Sequence, residues 1–78
     1  MNDFNLDSIN NIFFIGIAGD GMSALAQYLA GSGMNISGSD RQFNPDKKTQ
    51  RQKQLEYEGI NCYPQDCTGI TNKIELVV

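Results

Sequence analysis

Residues 11–40, NIFFIGIAGDGMSALAQYLAGSGMNISGSD, decide the fold. They open on NIFFIGI (Asn11 to Ile17), a β-branched and aromatic run that is nearly all apolar and too short for a helix. A strand buried on both faces of a parallel sheet has that composition. A glycine-rich turn follows at Ala18 to Gly21. Met22, Leu25, Ala26 and Leu29 then recur at i, i+3, i+4 and i+7, the spacing of one apolar stripe on a helix. Gly31-Ser32-Gly33 supplies the stop, because glycine readily takes the left-handed conformation found at helix ends. Asn35 to Ser39 (NISGS) reads as a second short strand, closed by Asp40.

The composition turns polar from Arg41 to Lys48, with Asn44-Pro45-Asp46 as a turn signal. Thr49 to Glu58 is rich in helix formers, and Gly59 stops it. Its apolar face is poor: Leu55 is the one strong aliphatic residue, with Tyr57 as a helper, so a loosely docked helix is expected. Lys47, Lys48, Arg51 and Lys53 form a small basic cluster there, read as a solvated face rather than a polyanion site. Ile60 to Tyr63 is a predicted third strand, Pro64 to Asn72 a connection with room for one helical turn, and Ile74 to Val78 a fourth strand. Alternation of this kind, with right-handed crossovers, predicts an α/β fold: a small Rossmann-like parallel sheet of about four strands in the order 3-2-1-4 with flanking helices. Residues 1–10 are expected to be a flexible segment ahead of one domain over 11–78. Because the sequence stops inside an apolar strand, it is expected to be an N-terminal fragment of a larger protein.

With 78 residues the chain is at most one small domain, and 40% hydrophobic against 19% charged residues is a globular balance. A net charge of −3 and six basic residues leave little material for a nucleic-acid footprint. The sequence has no histidine, which removes the commonest general base and metal ligand and any Ser/His or Cys/His nucleophile pair. Its longest apolar run, Ile12 to Ile15, falls far short of the ~20 residues of a membrane helix. The Asn- and Asp-rich start has no signal-peptide pattern, so a cytoplasmic protein is expected. Cys62 and Cys67 fit neither a CxxC pair nor a zinc half-site. Reduced thiols, with Cys62 partly buried in a strand, are the first expectation and a short-range disulfide the second. No metal site is expected.

The chemistry concentrates in Gly16-Ile17-Ala18-Gly19-Asp20-Gly21-Met22-Ser23. In a dinucleotide fold this turn uses glycines so that the backbone can approach a diphosphate, which rests on the N–H groups of the helix start. Gly16 and Gly21 hold the first and third places of G-x-G-x-x-G; Ala18 holds the second, where its methyl narrows the approach and Gly19 next door relieves it. Asp40 stands nineteen residues after Gly21, at the strand end where an acid binds ribose hydroxyls. Asp20 is a candidate helix N-cap that would compete with phosphate for a first-turn N–H. The residues alone leave three options open: a nucleotide site, an NAD-type module included; a tight turn whose glycines serve packing only; or an interaction domain that binds no nucleotide.

FIGIAGDGMSALAQYLAGSGMNISGSD, Phe14 to Asp40, resembles the opening of the Mur ligases, most closely those that join UDP-N-acetylmuramate to L-alanine. That family begins with a strand, a G-I-G-G-x-G-M-S turn, a helix and a strand ending S-G-S-D. Met22-Ser23 and Ser37-Gly38-Ser39-Asp40 carry the likeness, since a generic dinucleotide fold does not require them. The resemblance implies a domain that holds the UDP part of UDP-N-acetylmuramate, with Gly16, Ala18, Gly19, Asp20, Gly21, Met22 and Ser23 around the diphosphate and Ser39 and Asp40 near the uridine. It implies no catalytic residue in this stretch. ATP and magnesium are expected only for the parent enzyme, because G-x-x-x-x-G-K-[ST] occurs nowhere in this sequence. The ATP-binding and C-terminal, amino-acid-binding domains of such a ligase are likewise expected outside it. Ala18 and Asp20 depart from the family, which has glycine and usually a neutral residue there.

Overall fold

β1 (Asn11–Ile15) is the second strand in from one edge of a four-stranded parallel sheet whose order is β3-β2-β1-β4. This computed structural model describes residues 10–66 and 68–78; Cys67 and the expected flexible segment up to residue 9 lie outside the described residues. Each residue of β1 pairs with one of β2 (Asn35–Ser39), from Asn11 with Asn35 to Ile15 with Ser39. β3 (Asn61–Tyr63) pairs with β2 from Ser37–Asn61 to Ser39–Tyr63. β4 (Leu76–Val77) pairs with Ile12 and Phe13. Backbone bonds carry that last contact further, from Glu75 N–H onto Asn11 O (2.9 Å) to Ile15 N–H onto Val78 O (2.9 Å). The predicted strand order therefore holds. β4 is shorter than the apolar run suggested because Ile74 is still in a turn, its N–H bonded to Thr71 O.

α1 (Asp20–Gly31) and α2 (Gln50–Tyr57) cover the same face. Ile12, Phe14 and Ile36 point into it and form one buried cluster with Ile17, Ala26, Phe43, Leu55 and Ile60. Ile17 was expected in β1. It lies beyond it, because Gly16 takes φ +78 and turns the chain while keeping Ile17 inside. The inward stripe of α1 is Met22, Ser23, Ala26, Leu29 and Ala30, and Leu25 is 45% exposed. At about 100° per residue Leu25 sits a quarter-turn off the line through Ala26, which corrects the predicted stripe.

α2 docks through Leu55, as expected, but Tyr57 is 92% exposed and contributes nothing to the core. Gln52 takes the second inward place. Its amide is satisfied there, Oε1 accepting from Asn44 N–H (3.2 Å) and Nε2 donating to Glu56 (3.3 Å). Thr49 caps the helix, its Oγ1 accepting from Gln52 N–H at 3.1 Å. Residues 64–66 and 68–74 cross the opposite face through turns, among them an Asp66 carboxylate that accepts from Thr68 N–H and Oγ1. Among the described residues this connection has no helical turn, and no helix is long and apolar enough to cross a membrane.

Candidate nucleotide-binding site

The carboxyl ends of β1 and β2 meet at the glycine turn. Gly16 and Ile17 both donate their N–H to Ser39 O, at 2.8 and 3.1 Å, so the end of β2 holds the turn in register. Gly19 N–H returns to Gly16 O at 3.1 Å. Asp40 closes the arrangement: Oδ2 accepts from Ala18 N–H and Oδ1 from Gln42 N–H, both at 3.0 Å. A carboxylate expected to face a ribose, or to cap the segment after it, thus braces the turn and the following loop together. Each of its oxygens has one further lone pair for a ligand hydroxyl.

α1 starts without a side-chain cap. Its N-cap is Gly19 (φ −63, ψ 147), and Asp20 is already the first helical residue, which corrects the expectation that Asp20 caps the helix. Ser23 N–H makes the first helical bond, to Gly19 O at 2.7 Å. The N–H groups of Asp20, Gly21 and Met22 come before any possible intrahelical acceptor. Donors available to an anion therefore lie at 20–22, while Ala18 and Gly19 N–H are already engaged.

The glycines separate by what the fold asks of them. Gly16 needs its left-handed φ. A Cβ added at Gly21 would meet nothing within 4 Å, and one at Gly19 only Gly16 O, at an ordinary 3.5 Å; neither has a positive φ. Packing and backbone geometry leave room for a side chain at both. The Ala18 methyl packs against the core cluster.

Arg51 enters from α2, thirty-one residues from Asp20 in the chain. Its Nη1 donates to Ser23 Oγ in a close contact, and Nη2 donates to Asp20 Oδ1 at 3.1 Å. Ser23 is 1% exposed, and its Oγ also donates to Asp20 O at 3.2 Å. The basic cluster is thereby divided: Lys48 pairs with Glu56 (2.9 Å) on the surface of α2, whereas Arg51 leans over the start of α1. Sequence reasoning passed over Arg51. Its signal was a cation in the first turn of a helix with no acidic residue there to offset it, a position its own macrodipole disfavours.

Two open grooves lie away from the turn. One, of about 340 Å³, runs beside β3 along Glu56, Gly59, Ile60 and Cys62; the other, of about 250 Å³, lies over the amino ends of the strands at Asn11, Asn35 and Asn61. Cys62 is half-buried in β3, and desolvation, with the negative charge of Glu56 behind it, pushes its thiol up to about 12. The neutral thiol is a poor nucleophile.

Comparison with known proteins adds to this geometry. The family model described as Mur ligase family, catalytic domain, matches residues 11–77. A UDP-N-acetylmuramate--L-alanine ligase of Campylobacter jejuni is 44% identical over 71 residues, 90% of this chain and 15% of that protein. The protein of the same name from Borreliella afzelii is 41% identical over 58 residues, 72% of this chain and 12% of that one. That of Flavobacterium psychrophilum is 57% identical over 37 residues, 47% of this chain and 8% of that one. The chain thus spans at most 15% of the length of these relatives. A match that runs from the first residue of β1 to the last of β4, through the turn and both helices, places this chain in the Mur ligase family.

Proposed function

We propose that this chain is the UDP-sugar-binding part of a Mur ligase, holding the diphosphate of UDP-N-acetylmuramate against Gly16 to Ser23 and the uridine near Ser39 and Asp40. The observation that carries it is the pair Gly19 and Gly21. Both are bare where the fold would admit a Cβ, at a helix start with no side-chain cap, whose first N–H groups have no intrahelical acceptor. A diphosphate needs that combination of close approach and unspent donors. The names of the relatives supply the sugar nucleotide.

On this reading the chain is silent in catalysis by itself and serves peptidoglycan synthesis or recycling in the cytoplasm as part of an acid–amino-acid ligase. ATP and magnesium belong to the rest of that enzyme, since no phosphate-cradling lysine motif occurs in this sequence. The site is an open rim rather than a closed cleft, so the expected affinity is weak. The test is a competing titration of UDP-N-acetylmuramate and NAD followed by amide chemical shifts. The expected result is saturable binding of the UDP-sugar, tighter than NAD, with shifts centred on Gly16 to Ser23 and Asp40. Equal or tighter binding of NAD would overturn it in favour of a dinucleotide module, and no binding of either in favour of a purely structural domain.

A further inference from the structure

We infer that Arg51 is a diphosphate-binding residue of this site and that Asp20 holds its guanidinium as a stand-in anion until the ligand takes over; the inference rests on the proposed UDP-sugar reading and deepens it. Arg51 stands in the first turn of α2, and its side chain crosses to the first turn of α1. One helix start, equivalent to roughly half a positive charge, and the full positive charge of Arg51 therefore meet at the same rim. Among the described residues the carboxylates bonded there are Asp20 and Asp40. Asp40 is taken up by the Ala18 and Gln42 N–H groups. Asp20 has a side chain 98% exposed, and an ion pair that open to water is weak.

The buried Ser23 hydroxyl is the fixed point of the arrangement. It holds one guanidinium nitrogen and leaves the other at the rim, beside the donors of residues 20–22. A planar guanidinium serves Ser23 and an outside anion at once, which the single ammonium of a lysine does less well. A diphosphate offers more charge and more acceptors than the lone Asp20 carboxylate, so exchanging the partners of Arg51 gives up only the exposed pair.

The experiment titrates UDP, and uridine as the phosphate-free control, into the 78-residue chain and its Arg51→Met, Arg51→Lys and Asp20→Asn variants, with a thermal melt of each. Arg51→Met is expected to weaken UDP about tenfold, the scale of one lost hydrogen bond to a charged group. Arg51→Lys should weaken it severalfold. Asp20→Asn should tighten it severalfold at low salt, an advantage that fades as salt rises. Uridine should respond to none of the three. Equal UDP affinity of wild type and a folded Arg51→Met chain overturns the role of Arg51 and leaves the site standing; if that variant does not fold, equal affinity of Arg51→Lys does the same. A wild-type chain that binds no UDP at all overturns the site itself and this role with it.

Discussion

On one face of the sheet Ile12, Phe14 and Ile36 lie beneath two helices; on the other Phe13 is covered by the connection from Tyr63 to β4, which has no helix among its described residues. Topology explains the contrast. The steps from β1 to β2 and from β2 to β3 move in one direction, so right-handed crossovers put both helices on one side and the returning connection on the other. Phe13 is nonetheless fully buried, tilted against Tyr63 with 6.2 Å between ring centroids. Past the edge of that connection, Ile15 and Val77 on the same face are 46% and 47% exposed. Three consecutive buried residues in β1 therefore do not mean two equal cores. One side is an interdigitated layer, and the other is a single aromatic contact under a strap.

The largest test of that contrast is truncation on each side. Phe14→Ala should cost about 4 kcal/mol, because the helices cannot collapse into the cavity, and Phe13→Ala nearer ~3 kcal/mol, because a connection settles more readily. Urea unfolding of both variants measures the difference; equal losses would show the strap to be packed as rigidly as the helices. A smaller effect comes from adding a methyl. At Gly38 a Cβ would stand 2.6 Å from Ile17 Cδ1 and 2.8 Å from the Phe14 carbonyl, so Gly38→Ala should lose about 2 kcal/mol. A Cβ at Gly69 would overlap the Tyr63 and Phe13 rings, but the connection can shift, and about 1 kcal/mol is expected for Gly69→Ala. Thermal melts rank the pair, and a reversed order would break the comparison.

Smaller again is the carboxylate that ties the strap to β1. Glu75 accepts from the N–H groups of Asn10 (2.8 Å) and Asn11 (2.9 Å), and those bonds hold its carboxyl below the ordinary value. A lowered folded value means stability that is present above the unfolded carboxylate range and lost as pH falls through the folded one. Glu75→Gln should melt slightly below wild type at neutral pH and match it in acid; a difference that persists at low pH would mean the bonds do not depend on the charge. The smallest effect under ordinary conditions belongs to Cys62. Its thiol is raised from 9.0 to about 12, so its contribution is fully present below pH 9 and falls away between those values as the unfolded chain alone ionises. Cys62→Ser should be close to neutral at pH 7 and should flatten the alkaline loss, read from melts between pH 8 and 11.

Local patterns made most of the fold legible. β2 lies at Asn35–Ser39 as read, since Gly31-Ser32-Gly33 precedes it and Asp40 closes it, and the strand order followed from the alternation of elements. What escaped depends on contacts distant in sequence. Gln52 carries no apolar signal, and its buried place rests on Asn44 and Glu56 satisfying its amide, while Tyr57 looked apolar enough to dock though its position faces water. At the site, the turn and Asp40 were visible as a spacing. That Asp40 also braces the turn was not, because it depends on where Ala18 N–H points.

That brace has a kinetic consequence. Ala18 and Gly19 N–H are tied inside the turn, so their hydrogens trade with solvent only when the turn opens, whereas those of Asp20, Gly21 and Met22 need no opening. In heavy water, five neighbouring amides should divide into a slow pair and a fast trio. An anion seated on the helix start would slow the trio and leave the pair nearly where it was. The loop thus contains its own internal clock, against which occupancy can be timed without any label.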